Sequence, residues 1–199
     1  LSRGLGDVYK RQLTTTVQKN YTHPDLDLNA DNRLILLTAH RRENLGEPMR
    51  HMFRAVKRVL NEYDDVKVIY PIHKNPLVRE TATEIFGDTE RIQIIEPLDV
   101  LDFHNFMNHS YMILTDSGGV QEEAPSLGKP VLVMRDTTER PEGVAAGTLK
   151  LVGTDEETIY QNFKMLLDDS EEYKKMSQAS NPYGNGDASK QIVRILREI

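Results

Sequence analysis

Short apolar runs alternate along this chain with longer stretches in which apolar residues recur every three or four positions. The first run covers 34–37, and the stretch that follows, from Met49 to Leu60, has apolar residues at helical spacing. A continuous apolar run is typical of a strand buried on both faces, and the wider spacing is typical of a helix with one buried face. The pattern therefore predicts a strand followed by a helix.

This strand–helix unit repeats along the rest of the chain. Further strands are predicted at 66–70, 91–95, 111–115, 131–134 and 148–152. Further helices are predicted at 77–86, 100–107, 120–127, 156–167, 171–179 and 188–199. Such alternation predicts an α/β fold, a doubly wound, Rossmann-like parallel sheet with helices on both faces. We expect one domain over 13–199.

Residues 1–12 depart from this pattern, because they show neither strand nor helix periodicity. We interpret this segment as a non-native scar that precedes the domain. A frayed native terminus is the alternative interpretation. Neither interpretation predicts a regular element there.

The composition and charge restrict the classes of partner. The 199 residues are 38% hydrophobic and 28% charged, as in ordinary soluble globular proteins. A formal net charge of −6 argues against broad nucleic-acid binding, which needs a basic face, but does not exclude small anionic ligands. No apolar run approaches the roughly 20 residues of a membrane span, and the lack of cysteine favours a reducing compartment. We therefore expect a cytoplasmic protein with no membrane partner.

Chemically rich segments directly follow the predicted strands. They are 38–44, 71–76, 96–98, 116–119 and 135–142. The carboxyl ends of parallel strands meet at one edge of the sheet, where such folds bind ligands, whereas solvated loops would scatter polar residues over both edges. The sequence therefore predicts a ligand site at the carboxyl edge.

The segment from Asp116 to Glu123 offers the clearest mechanism. Gly118 and Gly119 let the backbone approach a ligand closely, and the free amides of the helix that begins there suit a diphosphate. Ser117 could instead cap that helix. Glu123 lies one helical turn beyond Gly119 on the same face, where its carboxylate could accept hydrogen bonds from a ribose diol. The alternative is that Glu123 is an ordinary surface glutamate of the helix.

Other strand ends carry imidazole or cationic side chains. His40 is followed by Arg41 and Arg42, which suit phosphate contacts, and His40 could donate to a leaving-group oxygen. A structural histidine is the alternative, and the two neighbouring arginines favour the functional interpretation. His73 follows the second strand, where a structural loop histidine is an equal alternative. The segment 135–142 holds five charges and is interpreted as a shaped binding loop ahead of a helix-breaking pattern.

Several kinds of site are not expected. The six histidines show no metal-ligand spacing, and no cysteine can assist them, so we expect no metal. The chain also has no Walker A pattern, no dinucleotide-binding glycine fingerprint after the first strand and no nucleophile elbow.

Four segments together resemble one family. Thr38–Asn44, Asp116–Pro125, Arg135–Glu142 and Asn181–Gly184 are similar, in sequence and in order, to motifs of the bacterial non-hydrolysing UDP-N-acetylglucosamine 2-epimerases. The resemblance covers about 13–199. It implies a two-domain enzyme whose Rossmann-like domains face a cleft, as in the GT-B glycosyltransferases, with this chain as the C-terminal domain.

The resemblance also implies a reaction and its partners. The family interconverts UDP-N-acetylglucosamine (UDP-GlcNAc) and UDP-N-acetylmannosamine (UDP-ManNAc) by anti elimination of UDP, through a 2-acetamidoglucal, and re-addition of UDP. No dissociable redox cofactor or metal is required. The carboxylates that move the C2 proton belong to the N-terminal domain, so this chain alone is expected to bind UDP without catalysing the reaction. The full-length enzyme is expected to be a homodimer in cell-envelope polysaccharide synthesis.

Residue roles at the phosphates follow from the same resemblance. His40 matches the family's active-site histidine near the diphosphate, and Arg140 matches an arginine at the phosphate and sugar. The phosphate-binding turn is matched by Ser117, Gly118 and Gly119. A turn of this kind would stabilise the charge on the departing UDP.

Further positions match the rest of the ligand. Glu123 matches the ribose ligand, and Phe103 with the backbone around Leu98 matches the uracil pocket. Arg41 and His73 match positions that contact a second UDP-GlcNAc, which is the allosteric activator of many bacterial members.

Three rival functions stay open. A GT-B glycosyltransferase half would share the sheet and the phosphate site but would transfer the sugar to an acceptor, and the segment 135–142 argues against it. A non-catalytic UDP-sugar-binding module is the second rival. A hydrolysing epimerase, which would release free N-acetylmannosamine, is the third and weakest.

Overall fold

The computed structural model describes residues 5–27, 32–184 and 186–198. One sheet is formed by β1 (Arg33–Thr38), β2 (Val66–Pro71), β3 (Ile92–Ile95), β4 (Met112–Thr115), β5 (Val131–Val133) and β6 (Leu149–Leu151). Neighbouring strands pair in parallel, in the order β3–β2–β1–β4–β5–β6. Parallel neighbours require crossover connections, which the intervening segments supply.

The α-helices of the described residues lie mainly between the strands and after the last one. They are α1 (Leu5–Thr16), α2 (Pro24–Asp27), α3 (Glu47–Glu62), α4 (Pro76–Phe86), α5 (Val100–His109), α6 (Val120–Glu123), α7 (Pro141–Ala146), α8 (Glu156–Asp168), α9 (Ser170–Ser177) and α10 (Ala188–Glu198). Short 3-10 helices occupy Arg42–Asn44 and Ala124–Leu127. None of these helices is long and apolar enough to cross a membrane.

The sheet is buried on both faces because its central strand is apolar at successive positions. Ile35 and Leu37 of β1 pack into one core cluster, whereas Leu34 and Leu36 pack into the other, and all four side chains are buried. The first cluster includes side chains of α3, α4 and α8, and the second includes side chains of α1, α5 and α6. The result is a three-layer α/β structure.

The direction of strand addition reverses between β1 and β4. From β1 the chain moves outward through β2 and β3, and then returns to place β4, β5 and β6 on the other side. The connections that leave β1 and β4 therefore diverge, which opens a crevice at the carboxyl ends of these two strands. This switch point is the expected place for a ligand in such a sheet.

The predicted fold class and the six predicted strands are confirmed, and each strand end agrees to within one residue. The predicted helix at 120–127 is α6 followed by a 3-10 turn, because Pro125 has no N–H to continue the α-helical pattern. The last predicted helix corresponds to α10, and residue 199 lies outside the described residues.

The expectation of no regular element over 1–12 was wrong for residues 5–12, which belong to α1, whereas residues 1–4 lie outside the described part. Tertiary contacts explain this helix. Leu13 is 3% exposed in the second core cluster, and the Thr16 hydroxyl is hydrogen-bonded to His104 Nδ1 of α5 at 2.7 Å. Packing of this kind stabilises helices whose local pattern is weak.

The residues after Arg140 were expected to interrupt helical structure, and this expectation was also wrong. Pro141 begins α7, because a proline at the first helical position has the required φ and its missing N–H would have no partner there. The helix ends at Gly147, whose φ of 79° lies in the left-handed region that favours glycine. The loop that follows β5 is therefore shorter than the sequence indicated.

Replacing Ile35 with alanine should destabilise the protein strongly. The side chain is fully buried in the central strand, so truncation loses apolar burial and leaves a cavity, lowering the free energy of unfolding by about 2–5 kcal/mol. Leu77→Ala on α4, where the leucine is 55% exposed, is the matched control and should change it by less than about 1 kcal/mol. Urea denaturation measures both, and equal losses would contradict this assignment of the core.

Candidate functional site

A pocket of about 310 Å³ opens at the switch point, a volume within the range of small-molecule sites. Its walls come from the carboxyl ends of β1 and β2, the loops after β3 and β4, and helices α5 and α6. The lining residues are Thr38, His40, Pro71, His73, Pro97, Leu98, Phe103, Ser117, Gly119, Val120 and Glu123. The convergence expected at the carboxyl edge is therefore present in the fold.

The ten residues singled out in the sequence divide into two groups. Seven of them line the pocket, namely His40, His73, Leu98, Phe103, Ser117, Gly119 and Glu123. Three lie outside its lining, namely Arg41, Gly118 and Arg140. Their individual roles stay predictions.

Threonines at the ends of β1 and β4 are hydrogen-bonded to each other next to the pocket. Their hydroxyls, Thr38 Oγ1 and Thr115 Oγ1, are 2.7 Å apart and buried. The Ser117 backbone N–H also donates to Thr115 Oγ1, at 2.9 Å. Gly119 is the N-cap of α6 and no side chain caps that helix, so the capping role considered for Ser117 is absent. The turn is held by these threonines instead.

Asp116 joins the loop after β1 to the end of β4. Its Oδ2 accepts hydrogen bonds from the backbone N–H groups of His40 and Arg41, at 2.9 and 2.8 Å, and from Asn44 Nδ2 at 3.1 Å. Asp116 is fully buried and Asn44 is nearly so. Neither residue was assigned a role from the sequence, although both lie within motifs. The available signal was an acidic residue immediately after an apolar strand.

His40 and His73 lie side by side in the lining of the pocket. Their rings are stacked, with centroids 5.4 Å apart and an interplanar angle of 14°. His73 Nδ1 accepts the Asn75 backbone N–H at 3.0 Å, and the Asn75 side chain in turn caps α4 by accepting from Leu77 N. The His40 side chain is 40% exposed, so it is accessible to a ligand in the pocket.

Glu123 is the carboxylate of the pocket lining. Burial, and to a lesser extent the charge of Glu122, raise its pKa to about 7. His104 Nε2 lies 3.8 Å from Glu123 Oε2, but burial lowers the pKa of His104. Both shifts disfavour the charged forms, so this contact is weaker than a full ion pair. In the described residues no cluster of three acidic or histidine side chains is arranged for a metal.

Arg41 lies beside the pocket, close to the backbone of Gly118. Its Nε donates to the backbone carbonyl of Asp116 at 3.2 Å. Its guanidinium would lie 3.3 Å from a Cβ added at Gly118. A side chain at this position would therefore require the end of the Arg41 side chain to move by a few tenths of an ångström, whereas the backbone conformation of Gly118 makes no special demand for glycine.

Arg140 is engaged with α6. It forms an ion pair with Glu122, whose side chain is 2% exposed, and its backbone N–H donates to Thr138 Oγ1 at 3.0 Å. The Thr138 hydroxyl donates to the Gln121 side chain. The segment 135–142 is thus shaped by contacts within the protein.

Arg135 anchors the start of the same segment. It is 5% exposed and forms ion pairs with Glu43, at 3.0 Å, and Glu139, at 2.7 Å. The Arg135 guanidinium holds the pKa of Glu139 down to about 2. These pairs join the loop after β5 to the 3-10 helix Arg42–Asn44 behind His40.

The parallel sheet and the pocket at its switch point define a Rossmann-like domain of the GT-B kind. At the level of fold alone, the chain is similar to the C-terminal domain of a group 1 glycosyl transferase from Francisella tularensis, with a TM-score of 0.61, 15% identity and coverage of 90% of this chain and 97% of that one. The family model described as UDP-N-acetylglucosamine 2-epimerase matches residues 5–197. The chain belongs to the UDP-N-acetylglucosamine 2-epimerase family.

Individual relatives agree with this family. A UDP-N-acetylglucosamine 2-epimerase of Bacillus subtilis is 67% identical over 184 residues, which are 92% of this chain and 48% of that protein. A structure of S. aureus MnaA with UDP has a TM-score of 0.89 and 57% identity, covering 93% of this chain and 51% of that one. A Neisseria meningitidis UDP-GlcNAc 2-epimerase bound to UDP-GlcNAc has a TM-score of 0.79 and 42% identity, covering 96% and 50%. The chain spans about half the length of these relatives.

Glu123→Gln should stabilise the protein at high pH and much less at low pH. Because the folded-state pKa of about 7 lies above the ordinary value of 4.5, ionisation lowers stability as pH rises between these values. The gain in the free energy of unfolding should approach about 3 kcal/mol near pH 8 and shrink towards pH 5. Denaturant unfolding at both pH values measures it. The exposed Glu90→Gln is the control, and a gain at Glu123 that does not depend on pH would contradict the assignment.

Proposed function

We propose that this chain is the UDP-holding, C-terminal half of an enzyme that reversibly converts UDP-GlcNAc to UDP-ManNAc. The observation that carries the proposal is the pocket at the switch point of a chain in this family, lined by His40, Phe103, Ser117, Gly119 and Glu123. It is supported by relatives described as epimerases and by related structures described with UDP or UDP-GlcNAc.

The pocket lining corresponds to the three parts of UDP. Leu98 and Phe103 supply an apolar wall for the uracil, and the Glu123 carboxylate can accept hydrogen bonds from the ribose diol. The backbone at Gly119 and Val120, where α6 begins, offers amides to the diphosphate. A lining that combines an apolar wall, a carboxylate and backbone amides suits a nucleotide better than an inorganic anion, which would use only the amides.

The reaction that we propose is an elimination followed by a re-addition. A base removes the C2 proton while the C1–O bond breaks, which releases UDP and leaves 2-acetamidoglucal. UDP then adds back to C1, and an acid returns a proton to the opposite face of C2. In this chain His40 and the amides after β4 stabilise the charge on the departing UDP.

The base and the acid come from the other half of the enzyme in this proposal. Glu123 is the carboxylate that lines the pocket in the described residues, and it is assigned to the ribose. The chain by itself should therefore bind UDP without epimerising the sugar.

The remaining expectations stay predictions. Arg140 could reach a phosphate only by sharing or leaving its pair with Glu122. The allosteric contacts of Arg41 and His73, the homodimer, the role in cell-envelope polysaccharide synthesis and the cytoplasmic location belong to the same proposal. His73 stacks on His40, so a second ligand that contacted His73 would also bear on the first site.

Phe103→Ala should weaken the binding of UDP to this chain by about tenfold or more, because it removes the aromatic surface proposed for the uracil. Isothermal titration calorimetry measures the change. Val100→Ala is the matched control, since Val100 lies on the same helix, is 59% exposed and does not line the pocket. Absence of UDP binding in folded wild-type protein would refute the UDP-holding role.

His40→Ala in the full-length enzyme should lower kcat by about 100-fold to 1,000-fold, the range expected for loss of one group that stabilises the charge developing on the departing UDP. Proton NMR with UDP-GlcNAc as substrate identifies the product as well as the rate. His51→Ala, on α3 and away from the pocket, is the control and should leave turnover unchanged. UDP-ManNAc is the expected product. Free N-acetylmannosamine would indicate a hydrolysing epimerase, and a glycoside would indicate a glycosyltransferase.

A further inference from the structure

The two carboxylate oxygens of Asp116 have unequal surroundings. Oδ2 accepts hydrogen bonds from His40, Arg41 and Asn44, whereas Oδ1 is buried and has no hydrogen-bond partner in the described part of the chain. Buried carboxylate oxygens without a partner are unfavourable, so a nearby donor is expected to occupy this one. The Nδ1 atom of His40 lies 3.7 Å from Oδ1.

Other donors around Asp116 are already engaged. The Tyr70 hydroxyl donates to a backbone carbonyl at 2.6 Å. Asn44 Nδ2 also donates to a backbone carbonyl, that of the residue after β5, at 3.4 Å. The Arg41 Nε donates to the backbone oxygen of Asp116 itself. The His40 ring is therefore the group best placed to satisfy Oδ1.

His73 does not orient the His40 ring by hydrogen bonding. The two rings are stacked nearly parallel, so His73 presents a face and not an N–H to His40. His73 Nδ1 is also engaged, because it accepts the Asn75 N–H. Stacking limits the tilt of the His40 ring but does not decide which nitrogen carries the proton.

We propose that Asp116 is a positioning residue for His40. Its Oδ1 accepts a hydrogen bond from His40 Nδ1–H after a small rotation of the ring that shortens the 3.7 Å separation. This bond selects the Nδ1–H tautomer and leaves Nε2 on the opposite side of the ring, towards the pocket that His40 lines.

The inference deepens the proposed function and rests on it for its mechanistic meaning. With Nδ1 held by Asp116, the neutral ring presents a bare Nε2 to the ligand, and the protonated ring presents an Nε2–H donor. In either state the same nitrogen faces the pocket. Asp116 contacts no ligand in this scheme and acts only through His40.

Nitrogen-15 NMR of the histidine-labelled 199-residue chain tests the tautomer directly. At about pH 9, where a free imidazole is neutral, long-range proton–nitrogen spectra distinguish the protonated nitrogen from the bare one. His40→Gln removes one set of ring signals and thereby assigns them. We expect His40 to be in the Nδ1–H form.

Asp116→Asn should reverse the tautomer. The asparagine oxygen can replace Oδ2 as the acceptor for three N–H groups, so its NH₂ group occupies the position of Oδ1 and donates to His40 Nδ1. The His40 ring must then carry its proton on Nε2. Asp136→Asn, which changes an exposed carboxylate at the same edge of the sheet, is the matched control and should leave the Nδ1–H form in place.

A wild-type His40 in the Nε2–H form would overturn the proposal, as would a folded Asp116→Asn variant that retains Nδ1–H. If Asp116→Asn does not fold, the wild-type spectrum alone decides. The NMR measurement needs neither ligand nor turnover. Failure of UDP to bind would therefore count against the proposed function and leave the tautomer result unaffected. UDP binding together with an Nε2–H form of His40 would count only against the proposed role of Asp116.

Discussion

The pairing of β1 with β4 is the constraint on which the rest of the site depends. These strands are adjacent in space although the paired residues Thr38 and Thr115 are 77 positions apart in the chain. Their adjacency brings the loop that carries His40 next to the turn that carries Ser117. Two contacts then hold the loops together: the hydrogen bond between the buried threonine hydroxyls, and the one that Asp116 accepts from the His40 backbone N–H. Without this pairing the two halves of the pocket would not face each other.

The charge distribution at the site follows from the same arrangement. Arg135 and Arg140 are cations, yet both are engaged by carboxylates of the protein, so neither is a free positive charge directed into the pocket. An anion in the pocket would therefore be met by backbone amides and imidazole rings of the lining, with Arg41 beside them. Such groups are held in place before a ligand arrives, and fixed dipoles of this kind are effective where water is excluded. Glu122 is neutralised by Arg140, while its neighbour Glu123 has no such partner and shows a raised pKa instead.

The sheet and the edge that carries the pocket could be predicted from the sequence. The side-chain contacts between the loops at that edge could not. Apolar runs identify buried strands because the requirement is local, and the carboxyl edge then follows from parallel order. The tie between Asp116 and the loop of His40, and the pair between Glu122 and Arg140, depend on which loops become neighbours in space. A glutamate and an arginine 18 positions apart give no local signal of such a pair. The sequence therefore predicted a ligand contact for Arg140 but not its ion pair with Glu122 of α6, and the ligand contact stays a prediction.

The first helix shows how far the site extends beyond its motifs. Thr16 at the end of α1 is hydrogen-bonded to His104, and Asn105 of α5 binds the backbone of residues 16 and 18. His104 in turn lies against Glu123 in the pocket. The side of the pocket that carries Glu123 is therefore supported by a helix that runs continuously across residue 13, where the sequence had placed the start of the domain. In packing terms residues 5–12 are part of the same structural unit as the pocket, because α1, to which they belong, also carries the Thr16 hydroxyl that is hydrogen-bonded to His104.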